Sequence, residues 1–289
     1  MLNKYSNKIY KVSEIEENII IGSLLGDGSL ALYNRSKNAY YREHGCENQL
    51  PYRMWKYENL KNLDFKINTN YKYAKIYSHC NIYFTNLYNK FYFNNIKTIT
   101  EENIILLTHP IGLACLYMDD GSLVMDSTKR RNNSIYIFPR ISLYTLSFSE
   151  KENLILKNHL ETTFGVKAKI KYRTDGKNTI LEINKKSDII KFIDIVKPYV
   201  YEIPYMRYKI NLDKRFEEKK NKLKENGYKN INSFEIISSK NYYTRNEELF
   251  IIQSKENGMS NIEIAKALNR SYWGIIDKLQ RINKLKESR

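Results

Sequence analysis

Apolar residues recur at helical spacing over Ile20, Ile21, Leu24 and Leu25, and again over Leu113, Leu116 and Tyr117. Both runs end in an acidic residue followed by Gly, Ser and Leu: IIIGSLLGDGSL at 19–30 and IGLACLYMDDGSL at 111–123. Ser13, with Glu16 three residues on, forms a capping box for the first helix, and Gly28 stops it. Strand-like segments follow around 29–34 and 39–44, then a helix from Pro51 to Leu63 whose Met54, Trp55 and Leu60 face a core. The runs YAKIYSH and NIYFTN read as extended, and a short helix with Leu87, Phe91 and Tyr92 closes the half. In the second half Thr108 and Pro110 open a helix that closes at Gly121. There SIYIFPRISLYT, KAKIKYR and NTILEIN read as strands around a helix launched by Ser149 and Glu152. Each half thus predicts helix, two strands, helix, two strands, helix. This is an α+β plan without the strand and crossover alternation of a doubly wound parallel sheet.

Composition narrows the partners. The 289 residues carry 48 Lys and Arg against 32 Asp and Glu, a formal charge of +16 spread along the chain, which favours a polyanion such as nucleic acid. Cys46, Cys80 and Cys115 form no paired framework and no metal-binding spacing, so a reducing, intracellular compartment is expected. The four histidines fall in no zinc motif, and no apolar run reaches the roughly 18 residues of a membrane span. A membrane role and secretion are therefore not expected. The 25 tyrosines can reflect an AT-rich coding sequence and do not by themselves signal base stacking.

The chemistry is expected where the repeated helices end. Gly22 sits inside the first helix at a cost of about 1 kcal/mol relative to alanine, a cost tolerated where another backbone comes close, and Cys115 is small at the matching place. Packing of these helices across the repeat boundary would bring Asp27 and Asp120 together at two helix C-termini, where dipoles and mutual repulsion both ask for a cation. A hard divalent ion, Mg²⁺ or Mn²⁺, suits carboxylate and phosphate oxygens. On a basic surface that pairing suggests phosphodiester cleavage.

Matched position by position, IIGSLLGDG (20–28) and LACLYMDDG (113–121) resemble the two motifs of monomeric LAGLIDADG homing endonucleases, the second in its MDDG form. The resemblance spans roughly residues 12–212. It implies two pseudo-symmetric αββαββα halves, 1–106 and 107–212, whose curved antiparallel sheets lie in the DNA major groove while the paired motif helices stand at the centre. It carries metal binding to Asp27 and Asp120, leaves Asp119 a neighbour of the metal site, and places Lys97 and Lys209 beside the two cleavage centres. The activity implied is site-specific hydrolysis of one phosphodiester on each DNA strand by a monomer. The alternative is an RNA maturase, with intron RNA as partner, or a regulator that keeps the scaffold without cutting. Bacterial cytoplasm, mitochondrion and chloroplast are all compatible.

Base and phosphate contacts are expected from the paired strands. In the first half these are Arg35, Lys37, Tyr40 and Arg42, then Lys72, Lys75 and Tyr77; in the second, Arg140 and Tyr144, then Lys167, Lys169, Lys171 and Arg173. The last four alternate, which puts them on one strand face. Arg130 and Arg131 suit the DNA backbone.

Beyond residue 212 the texture changes. Residues 213–240 read as a charged linker, and 241–289 as a small all-α helix-turn-helix or Myb-like module. Thr244 and Glu247 cap its first helix, the supporting and recognition helices cover about 261–268 and 271–284, and Ser271, Tyr272, Lys278 and Arg281 are candidate DNA contacts. Trp273 is assigned to its core.

Overall fold

The structure, a computed structural model, describes residues 8–32, 36–69, 73–130, 134–173, 176, 178–233, 243–270 and 272–287; Arg35, Lys72, Arg131 and Ser271 lie outside the described residues. The described residues through Ser233 form one compact unit and those from Tyr243 a second.

The first half runs α1 (Glu14–Leu25), β1 (Ser29–Leu32), β2 (Ala39–Cys46), α2 (Leu50–Asn59), β3 (Lys66–Asn68), β4 (Tyr73–Tyr77) and α3 (Ile82–Phe91). A tight hairpin of β5 (Tyr92–Phe93) and β6 (Ile96–Lys97) and the single turn α4 (Glu101–Ile104) lead into the second half. That half repeats the order as α5 (Pro110–Asp120), β7 (Gly121–Lys129), β8 (Ile135–Leu143), α6 (Glu150–Phe164), β9 (Lys169–Tyr172), β10 (Thr179–Ile183) and α7 (Lys186–Tyr201). The sheets match too: the first is ordered β1-β2-β4-β3 and the second β7-β8-β10-β9, all antiparallel. Two αββαββα halves are thus present.

At the centre stand α1 and α5, buried over Ile19–Leu25 and Ile111–Met118. Helices apolar on every side belong inside a fold. The Ser13 capping box forms as the sequence predicts, Glu16 Oε2 accepting from the Ser13 N–H at 2.9 Å. The start of α5 is secured from the other half: Asn18 Oδ1 accepts from the N–H groups of Thr108 and His109, each at 2.9 Å. The N-cap is therefore His109, with Pro110 at the first helical position.

Further local expectations change, among them the stop of α1, which ends at Leu25 with Gly26 and not Gly28 as its C-cap. NIYFTN is not extended but the start of α3, because Asn81 caps it and Phe84, Leu87 and Phe91 share its buried face. The α2 helix stops at Asn59, before a 3₁₀ turn over Lys61–Leu63, and it buries Tyr52, Arg53 and Lys56 while Met54 is exposed. Beyond the second half, where a linker is expected, α8 (Leu212–Glu225) packs against β7 and β8, and β11 (Ile231–Ser233) pairs in parallel with β8.

The second unit holds α9 (Arg245–Glu256), α10 (Asn261–Ala267) and α11 (Tyr272–Glu287) around Ile251, Ile264, Ala265 and Ile275. Capping boxes at Thr244 and Ser260 start α9 and α10. Of Trp273 only its place at the start of α11 is described. Among the described residues no helix is long and apolar enough to cross a membrane.

Candidate nuclease centre and nucleic-acid face

The motif helices touch backbone to backbone. A Cβ on Gly22 would lie 2.0 Å from the Gly112 carbonyl oxygen, and one on Gly26 would lie 2.5 Å from Asp119 Cβ. Gly22 thus has the close approach its sequence position implies, but its partner is Gly112 and not Cys115, which is buried beside Tyr52, the Tyr52 hydroxyl donating to its carbonyl at 3.3 Å. Residue 26 must be small because its pseudo-symmetric counterpart, Asp119, fills the space above it.

This contact sets the C-terminal ends of α1 and α5 side by side, bringing Asp27 and Asp120 into mutual repulsion. Burial, and then the charge of Asp27, push the Asp120 carboxyl up to about 6. Among the described residues the Asp120 side chain makes no hydrogen bond or ion pair, whereas Asp27 Oδ2 accepts from Arg53 Nη2 at 2.8 Å. Each half also returns a lysine to the end of its own motif helix. Lys97 Nζ donates to the carbonyls of Gly26 and Gly28, at 3.1 and 3.0 Å, on either side of Asp27. Lys209 Nζ donates to those of Tyr117 and Met118, at 3.2 and 2.6 Å. Cations there satisfy orphan carbonyls and the negative helix ends together. Burial lowers both ammonium groups, Lys209 to about 8, with the nearby aspartates acting in the opposite direction.

Beneath Asp27 lies a buried ionic cluster that sequence reasoning missed. Glu43 accepts from the Tyr41 hydroxyl at 2.5 Å and from Lys56 Nζ at 2.7 Å, the Arg53 guanidinium forms an ion pair with it at 2.7 Å, and Lys56 reaches Asp119 at 3.1 Å. Burial lifts Asp119 to about 7, while Lys56 pulls it down and Glu43 raises it. Oxygens of Asp27, Glu43 and Asp119 lie within 4.8 Å of one another, a spacing that could hold a metal. Arg53 and Lys56 already neutralise the buried pair, however, so the trio is an internal salt network. The carboxylates with hard-oxygen capacity to spare are Asp27 and Asp120, which fits a divalent ion at the helix ends.

Outward from this centre each sheet presents one face. On the first, Arg42 lies opposite Tyr77, which lies opposite Lys66; His44 lies opposite Lys75, and Lys75 opposite Asn68. Tyr40 shares the face of Arg42 and His44, Lys37 is exposed in the preceding turn, and Lys75 Nζ sits 5.2 Å from the Tyr77 ring centre. Lys66 and His44 were missed because β3 is too short to show a pattern and one histidine carries no periodic signal.

On the second face Arg140 is pinned by Asp126 at 2.6 Å and Glu182 at 2.5 Å, and Lys171 reaches Glu182 at 3.2 Å. Lys169 and Lys171 are exposed on one side of β9, and Arg173 follows the strand. Lys167 precedes the strand and pairs with Glu161 on α6 at 3.1 Å, so the four-residue stripe is broken at its first member. Arg130 is exposed and stacks over Tyr136 at 4.2 Å; Tyr144 is exposed just past β8, its N–H bonded to the Asp120 carbonyl at 2.8 Å.

In the second unit Tyr272 and Arg281 are exposed on α11. Lys278 instead pairs with Glu248 and lies 5.8 Å from the Tyr243 ring centre, tying α11 to α9.

Residues 17–192 match the model of the LAGLIDADG DNA endonuclease family, and the chain belongs to that family. It is 26% identical over 204 residues to protein RecA of Mycolicibacterium flavescens, covering 70% of this chain and 47% of that protein; the chain spans about half the length of such RecA relatives. It is 28% identical over 222 residues to "Probable intron-encoded endonuclease 1" of Wickerhamomyces canadensis, covering 73% of this chain and 90% of the relative. Among solved structures it resembles the homing endonuclease I-WcaI bound to its DNA recognition sequence, with a TM-score of 0.56 and 24% identity over 70% of this chain and 88% of that one. That likeness concerns the fold.

Proposed function

We propose that the chain is a site-specific endonuclease of double-stranded DNA that hydrolyses one phosphodiester on each strand with a divalent cation, Mg²⁺ or Mn²⁺. The observation that carries this reading is the meeting of two helix C-termini, each bearing an outward aspartate and a lysine from its own half, midway between two sheets with basic outward faces. Asp27 and Asp120 would hold the ion, which when bound supplies a lowered pKa for attacking water and charge neutralisation at phosphate.

The protein's own part is positioning and electrostatics. Arg53 fixes one oxygen of Asp27, and the Gly22–Gly112 contact sets how closely the helix ends approach. Lys97 and Lys209 place fixed positive charge beside the phosphates, and Lys209 Nζ, with its proton held at about 8, can exchange it with water near neutral pH. Two motifs in one chain supply both centres, so a monomer suffices. The outer-face residues Lys37, Tyr40, Arg42, Lys75, Tyr77, Arg130, Tyr144, Lys169, Lys171 and Arg173 supply phosphate and base contacts. The three-helix unit adds a DNA segment through Tyr272 and Arg281 on α11.

Incubating the full chain with a library of randomised duplexes, with and without Mg²⁺, tests this reading. Metal-dependent double-strand breaks at one sequence are expected. Tight binding of structured RNA with no duplex cut would instead favour a maturase.

A further inference from the structure

In the second sheet, β11 is the strand that has no counterpart in the first. The β10 strand pairs with β8 only at residues 141–143, leaving the edge of β8 near its start without a partner from the second half. The β11 strand fills it, running parallel with Ile231 opposite Ile135, Asn232 opposite Tyr136 and Ser233 opposite Ile137, and the Asn230 carbonyl accepts from the Ile135 N–H at 2.8 Å. This strand comes from residues beyond the 17–192 that match the family.

Alternation along β8 fixes which way the addition faces. Ile135 and Ile137 are buried, so Tyr136, Phe138 and Arg140 point to the opposite, outward side, and Asn232, in register with Tyr136, points there too and is exposed. The Tyr136 and Phe138 rings stack at 6.2 Å and 22°, and the Arg130 guanidinium covers Tyr136 at 4.2 Å. A carboxamide beside a rigid aromatic pair and a restrained arginine has the groups that meet duplex DNA: an amide can bond the N6 and N7 edge of adenine, while the stacked arginine keeps N–H groups for phosphate. Among the described residues it is β11 that sets a carboxamide on the strand beside Tyr136.

We propose that β11 extends the DNA-reading face of the second half, with Asn232 as a base-reading residue at the outer end of that half-site and Arg130, seated on Tyr136, holding the adjacent backbone. The inference rests on the nuclease reading above.

The test uses the full chain and the duplex that the wild type cuts, profiled with every single base-pair change. Asn232→Ala, a surface substitution, should weaken discrimination at one or two outer base pairs by about 5- to 150-fold while the base preference at the central positions stays that of the wild type. Arg130→Ala should weaken binding to all sequences alike and reduce the logarithmic salt slope by about one. An unchanged base profile for Asn232→Ala overturns the inference while leaving the nuclease standing. If the wild type cuts no duplex at all, the nuclease reading falls and takes this inference with it.

Discussion

Gly22 and Gly112 face each other across the centre of the first unit so closely that a Cβ on Gly22 would stand 2.0 Å from the Gly112 carbonyl oxygen. The obstacle is backbone, which cannot swing aside like a flexible side chain. Gly22→Leu is therefore expected to force α1 and α5 apart, costing about 3 kcal/mol or more and lowering the melting temperature of the first unit by roughly 6–12 °C. Because the same contact brings the helix ends together, DNA cleavage should fall with it. Scanning calorimetry and a cleavage assay on one preparation check both; unchanged values would place Gly22 away from the interface.

The Asp120 carboxyl lies well above its ordinary value of 3.8, at about 6, so its neutral form is favoured by the fold. That contribution to stability is complete below about pH 4 and is lost as pH rises through 6. Without metal at pH 7.5, Asp120→Asn should raise the melting temperature by a few degrees, roughly 2–4 °C per 1 kcal/mol. At pH 5 the gain should shrink, and Mg²⁺ should stabilise the wild type more at pH 7.5 than at pH 5. A gain of equal size at both pH values would show that repulsion at this carboxylate is absent.

Lys97 and Lys209 cap carbonyls at the ends of the two motif helices. Replacing either with Met keeps an unbranched apolar stem and removes the charge. Each variant should stay folded and bind DNA within a few-fold of wild type, yet cut at least about 10²-fold more slowly in single-turnover kinetics. A normal rate for both would make the lysines structural caps alone.

Removal of the three-helix unit must respect β11. A chain ending near residue 225 loses the strand paired with β8, whereas one ending after Ser233 keeps it. The latter should retain metal-dependent cutting, bind more weakly, and show a salt slope smaller by slightly less than one per lost phosphate contact. Because Lys278 is held by Glu248, that loss should track Tyr272 and Arg281. Equal footprints and slopes for the full chain and the one ending after Ser233 would assign this unit another partner.

What was legible beforehand was whatever repeats or caps. The paired motifs, the capping boxes at Ser13, Ser149 and Thr244, and the place of Asp27 and Asp120 follow from local pattern. The pattern misled where burial and polarity part company. Arg53 and Lys56 are 0% and 1% exposed, against every composition rule, because Glu43 and Asp119, distant in sequence, compensate them. NIYFTN has the aromatic and β-branched content of a strand, and only the Asn81 cap and the buried face of α3 reveal the helix. The parallel seat of β11 depends on an edge left open by a short β10, a relation between strands that no local window contains.

The paired aspartates carry the central claim, and strand-resolved cleavage of the selected duplex tests it most directly. Wild type, Asp27→Asn and Asp120→Asn should be compared under single-turnover conditions with Mg²⁺, with binding measured separately in Ca²⁺. Either substitution is expected to preserve the fold and most of the affinity while lowering the cleavage rate by about 10²- to 10³-fold or more, since an amide is a poor ligand for a hard cation. Near-wild-type cutting of both strands by either variant would contradict the assignment of the helix ends as the nuclease centre.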